Sequence, residues 1–130
     1  GAAGALGAAV VGKFKREGYY VIGLVRPEAN EQALEADVTY EVDVTDEHAV
    51  HEFVREYEVQ FGELDAIALL VGGFASGGLD TVKQQDITQL IQLNFFSAFS
   101  CNRFPSLVKK TATRGLVICG GTDSLRTCGR

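Results

Sequence analysis

The chain has 130 residues, the length of one domain. At 46% hydrophobic and 22% charged residues it has enough apolar material for a packed core. Its net charge of −5, with no basic block, argues against a nucleic-acid surface, and no apolar run reaches membrane-spanning length or forms a signal-peptide pattern.

In chain order, Gly1, Gly4 and Gly7 come first, at every third position ahead of a helical pattern over about 5–17. Leu6, Ala9, Val10, Lys13 and Phe14 carry that pattern, and Gly18 stops it. Glycines so spaced suit a dinucleotide phosphate turn. They permit a tight turn, a close backbone approach to the pyrophosphate and close helix–sheet packing. The helix N-terminus then offers free N–H groups and a positive dipole end. The strand feeding this turn would precede residue 1, and the sequence holds no Met. We therefore expect a cropped chain whose first strand, the middle of the sheet, is not included.

The run 19–25 is apolar and β-rich, suiting a strand buried on both faces. A short helix is expected over 28–34 after Pro27, and an alternating strand, nearer an edge, over 38–42. Over 46–61, Val50, Phe53, Val54, Tyr57 and Phe61 form one helical stripe, with Thr45 or Asp46 as cap and Gly62 as stop. A buried strand over 66–71 ends in Gly72-Gly73, and a loop over 74–78 leads to a long helix over 81–103. Leu116 to Cys119 is the last strand, before Gly120-Gly121; the tail 124–130 has no clear pattern. Alternating strands and helices imply a Rossmann-type doubly wound parallel sheet, here one partial NAD(P)-binding domain over 1–130, with ligands beyond the carboxyl ends of the strands.

Those strand ends supply the candidate site residues. Gly1, Gly4, Leu6 and Gly7 form the phosphate turn. Where NAD-binding chains often carry a ribose-binding carboxylate, Val25 is followed by Arg26, whose guanidinium suits a 2′-phosphate. This favours NADP, with NAD the other option. Asp43, after the third strand, suits the adenine amino group, or simply a turn and helix cap. Asn94 shares a helical face with Ile87, Leu90, Ile91 and Ala98, so we expect an inward-facing buried amide: a core tie or a catalytic group. Leu93, Phe96 and Phe99 make the other side of that helix apolar, which points to burial on both sides, the second against another subunit in a homodimer or homotetramer. Cys101, Cys119 and Cys128 have no metal-ligand spacing, and their odd number argues against a disulfide framework, so a reduced, cytoplasmic setting is the default and no metal is expected.

Together these residues resemble the short-chain dehydrogenase/reductase family over nearly the whole chain, from Gly1 to about Thr122. Gly1, Gly4 and Gly7 match a variant of the family's glycine motif, and Asp43-Val44 its adenine-binding pair. Leu69-Leu70-Val71-Gly72 replaces its Asn-Asn-Ala-Gly. The loop from Gly73 to Gly78 resembles that of some members, including dihydropteridine reductases. Leu93-Asn94-Phe95 matches the segment holding the active-site asparagine, and Thr122 is the hydroxyl nearest in register to the catalytic serine, ahead of Ser124. The resemblance implies hydride transfer between a nicotinamide and a small carbonyl or alcohol, with Gly72 and Gly73 beside the cofactor. The family's Tyr-x-x-x-Lys is absent, and none of Tyr19, Tyr20, Tyr40 and Tyr57 sits at a late strand end. The chain alone is therefore expected to bind cofactor without turnover. The alternatives are a non-catalytic dinucleotide-binding or scaffold protein, or an inactive fragment.

Overall fold

The structure is a computed structural model and describes residues 1–27, 34–78 and 80–101, together with the backbone of 115–120. The elements are α1 (Ala5–Arg16), β1 (Tyr20–Val25), β2 (Val38–Glu41), α2 (Glu47–Phe61), β3 (Ala66–Leu70), α3 (Gln84–Ile91), a π-helical turn (Gln92–Phe96), α4 (Ser97–Ser100) and β4 (Gly115–Gly120). The expected 28–34 helix lies largely outside the described residues.

The four strands form one parallel sheet in the order β2-β1-β4-β3. This fits the doubly wound expectation. Within this chain β4 lies between the 19–25 and 66–71 runs. Ile22 and Ile67 both align with Val117 across it. Apolar parallel strands need neighbours on both sides to satisfy their backbone groups, and β4 supplies one to each.

β1 is the sheet's buried centre: Val21, Ile22, Leu24 and Val25 are each at most 2% exposed. Side chains alternate across a strand, so one face takes Ile22 and Leu24, and the other Val21 and Val25. Ile22 and Leu24 pack with Val42, Val50, Phe53, Val54, Tyr57 and Leu64. Val21 and Val25 pack with Ala2 and Val11, where Val10 and Phe14 of α1 also lie. β2 is an edge strand, as its alternation suggests.

Local chemistry sets the helix ends. Asp46 caps α2, its Oδ1 accepting from His48 N (2.9 Å) and Ala49 N (3.4 Å). Gly62, at φ 75°, stops it. α1 ends in a Schellman closure: Gly18 N donates to Lys15 O (3.0 Å) and Tyr19 N to Phe14 O (3.1 Å). Gly18 supplies the required left-handed backbone at φ 80°. The Phe14 and Tyr19 rings meet edge-on at 5.0 Å, the apolar contact that accompanies this closure.

The 81–103 helix departs most from expectation. Ser97 N bonds Gln92 O, five residues back. The π turn inserts a residue and shifts the helical phase, so the inward side beyond it carries Ser97, Ser100 and Cys101. Ile87, Ile91, Phe95, Phe96 and Phe99 are 47–63% exposed. Within the described residues the helix is thus not buried on both sides, and Asn94 is exposed rather than inward.

At the amino ends of the strands, opposite the candidate site, Asp37 joins three elements. Its Oδ2 accepts from Val21 N at 2.7 Å, its N–H donates to Val21 O at 2.8 Å, and its Oδ1 pairs with Lys15 of α1. Partial burial works to raise the Asp37 pKa, but the Lys15 bond and charge and the Val21 N–H outweigh it and hold the group below the ordinary 3.8. A depressed carboxylate contributes stability that is present above its unfolded pKa and lost as pH falls through the folded one. Asp37→Ala is expected to cost about 1–2 kcal/mol at pH 7, read from the urea midpoint. It should also flatten the loss of stability that the parent chain shows below about pH 4; an unchanged acid profile contradicts the assignment.

Candidate functional site

The candidate site lies beyond the carboxyl ends of β1, β2 and β3, where open parallel sheets place their ligands. The glycine turn docks on β1 through its backbone. The Gly1 amino group and Ala2 N both donate to Leu24 O at 3.0 Å, and Gly4 N donates to Gly1 O at 3.1 Å. Gly7 is the glycine that the geometry requires. A Cβ there would stand 2.3 Å from Gly1 O and 2.6 Å from Ala2 O, so only glycine lets the first turn of α1 rest on this backbone. Gly4 is extended (φ −70°, ψ 161°), a conformation open to any residue. As N-cap it supplies no side-chain bond, and the first turn of α1 holds no acid. The positive pole of the helix is therefore uncompensated by side chains of this turn. Leu6 projects from it, 64% exposed.

Arg26 follows β1 and is exposed. Beyond β2, Asp43 is also exposed, and its Oδ1 accepts from both Thr45 N (2.9 Å) and Thr45 Oγ1 (2.6 Å), an Asx turn. Capping of α2 is left to Asp46, so the two acids divide the roles that the sequence leaves open. Val44 is 7% exposed and belongs to the core beside Val42 and Val50.

Beyond β3, Asn94 and Gly73 form a reciprocal clamp. Asn94 Oδ1 accepts from Gly73 N at 3.0 Å, while Nδ2 donates to Gly73 O and Leu90 O, each at 2.9 Å. Leu90 O is the carbonyl that the backbone N–H of residue 94 would bond in an α-helix. The amide side chain thus supports the π turn and the strand-end loop together, with both donors and its acceptor in use. Gly72 eases this fit, since a Cβ there would lie 3.0 Å from Asn94 Oδ1, a tight contact. Sequence reading missed Gln92, whose Nε2 contacts Thr45 O at 3.5 Å and links the π turn to the Asx turn. The signal available was two amides, Gln92 and Asn94, breaking an apolar run.

The turn, the Asx loop and the clamp share one end of the sheet; Thr122 lies outside the described residues. Tyr57 is 3% exposed in the core, and burial, with Asp65, pushes its hydroxyl pKa above 10.0. Among the described residues there is no group of three or more His, Cys, Asp or Glu that could hold a metal, and no helix long and apolar enough to cross a membrane.

Comparison with known proteins places this geometry. Among solved structures, the ligand-free aldohexose dehydrogenase of Thermoplasma acidophilum superposes with a TM-score of 0.76 at 20% identity, over 91% of this chain and 46% of that one. A short chain dehydrogenase from Burkholderia cenocepacia, in complex with NADP, gives 0.73 at 22% identity, over 91% and 51%. ElxO with NADP bound gives 0.64 at 25% identity, over 77% and 44%. The chain spans about half the length of these relatives. A comparison with curated proteins finds no match. Residues 1–119 match the short chain dehydrogenase family, and the chain, with its glycine turn and parallel sheet, belongs to it.

Proposed function

We propose that this chain binds NADP and belongs to an oxidoreductase that transfers hydride between the nicotinamide and a small carbonyl or alcohol. The observation that carries the reading is the approach at Gly7, where a Cβ would meet the backbone oxygens of Gly1 and Ala2. That approach sets an uncapped helix N-terminus at the end of the sheet's central strand, a fitting place for a pyrophosphate. In this reading Gly1, Gly4, Leu6 and Gly7 form the cofactor turn. Arg26 pairs with the 2′-phosphate, and Asp43 and Val44 border the adenine. Gly72 and Gly73 form the wall held by Asn94. The bound cofactor supplies the hydride, while Asn94 fixes the strand-end backbone beside the reacting groups and Thr122 is the candidate hydroxyl partner. The proton relay draws on a Tyr-x-x-x-Lys that this sequence does not hold, so cofactor binding is the assay for this chain. The exposed Ile87, Ile91, Phe95 and Phe99 support self-association as a dimer or tetramer, and a reduced, cytoplasmic setting belongs to the same reading.

Three substitutions test the reading. Arg26→Ala is expected to weaken NADPH about 10- to 100-fold, the loss of a charge-assisted contact, and to leave NADH nearly unchanged. Equal effects on the two cofactors in calorimetric titrations would remove Arg26 from the site. Gly7→Ala is expected to cost about 1–3 kcal/mol by overpacking and to weaken both cofactors more than about tenfold. Asn94→Ala breaks three hydrogen bonds and is expected to cost about 1–3 kcal/mol while speeding exchange of the Gly73 amide. An unperturbed Gly73 amide would dissolve the clamp.

A further inference from the structure

We propose that Gln92 is a positioning residue, through which filling the adenine end of the cofactor site tightens the Asn94–Gly73 clamp at the other end. The inference rests on the cofactor reading above. The loops that follow β2 and β3 have β1 and β4 between them in the sheet. At the usual strand spacing they stand about 14 Å apart. The π turn reaches both, with two amide side chains two residues apart: Asn94 bonds Gly73, and Gln92 Nε2 faces Thr45 O.

The two links are unequally made. The bonds between Asn94 and Gly73 are 2.9 and 3.0 Å long, inside the range of about 2.7–3.2 Å for N–H···O. Gln92 Nε2 stands 3.5 Å from Thr45 O, where the bond is weak and a small approach strengthens it steeply. Thr45 gives both its N–H and its hydroxyl to Asp43 Oδ1, so the two residues move as one unit. An adenine amino group donating to Asp43 competes for the oxygen that holds Thr45 and re-aims the Asx turn. A ligand shifts an equilibrium only through a contact that differs between the two states, and the long Gln92–Thr45 contact is such a difference. Val44, beside Thr45, and Cys101, at the end of α4, share one buried cluster, with Val71 packed against it. The parts to be drawn together thus move on a common close-packed base.

NMR of the chain with adenosine 2′,5′-bisphosphate, the adenine half of NADP, tests this. Shifts of the Gly4 to Gly7 and Thr45 amides report that the ligand is bound. At saturation it is expected to slow exchange of the distant Gly73 amide about fivefold, the low end of site-to-site couplings, and to shift the Gln92 side-chain NH2 resonance. Gln92 is exposed, so its variants are expected to fold. Gln92→Met and Gln92→Glu both remove the donor, and each should bind the ligand yet lose the Gly73 response. A role confined to folding would not separate binding from that response. A bound parent chain with no change at Gly73, a response that persists in either variant, or loss of binding in both variants overturns this inference and leaves the cofactor reading standing. Absence of shifts at Gly4 to Gly7 and Thr45 in the parent chain overturns the cofactor reading and this inference with it.

Discussion

Every buried strand of a parallel sheet must find hydrogen-bonding neighbours along its length, because water cannot reach the backbone groups it leaves unpaired. The rest of this molecule follows from how β1 meets that demand. β2 lies on one side and β4 on the other, and helices cover both faces. With β1 fixed, Leu24 O at its carboxyl end becomes the anchor for Gly1 and Ala2, and Val25 O the anchor for Val42 N, which leads into the Asx turn. The glycine turn and the Asx loop are thus positioned by successive carbonyls of one strand.

The third part of the site is held differently. The loop after β3 is tied by a side chain, through the two bonds between Asn94 and Gly73. That arrangement depends on a π turn, which spends a residue on irregular helix geometry, and on Gly72, which leaves room for the amide. Irregular helix geometry recurs at functional sites because it aims a side chain where a regular helix would not. Here it directs an amide at a neighbouring backbone.

How far the sequence could be read depended on whether the determining interactions were local. α1 and α2 were legible because caps, stops and stripes lie within a few residues: Asp46 before α2, Gly18 and Gly62 after each helix, and Val50 to Tyr57 along one face. Burial of 21–25 on both faces was legible from its unbroken apolar run. The partner of β1 was not, since strand order is a non-local choice. Asn94 stood out as an amide in an apolar stripe, yet its orientation was misread, because Ile87 and Ile91 of the same stripe are themselves exposed, so apolar spacing there does not mark an inward face among the described residues. Asp43 and Asp46 were both visible as turn acids, and only geometry assigned one to the Asx turn and the other to the cap.

The position of β4 also sets the order in which the molecule can be assembled. β1 and β2 are near in sequence and can pair early, but the joint between β1 and β3 waits for residues 115–120. Contacts of such sequence separation carry a large loop-closure cost and slow the search for the native topology. Until β4 arrives, Ile67 and Leu69 belong to an apolar strand whose β4 partner is still to come, the kind of edge on which nascent chains associate wrongly. The joining of β1 to β3 is thus governed by a segment remote in sequence from both strands.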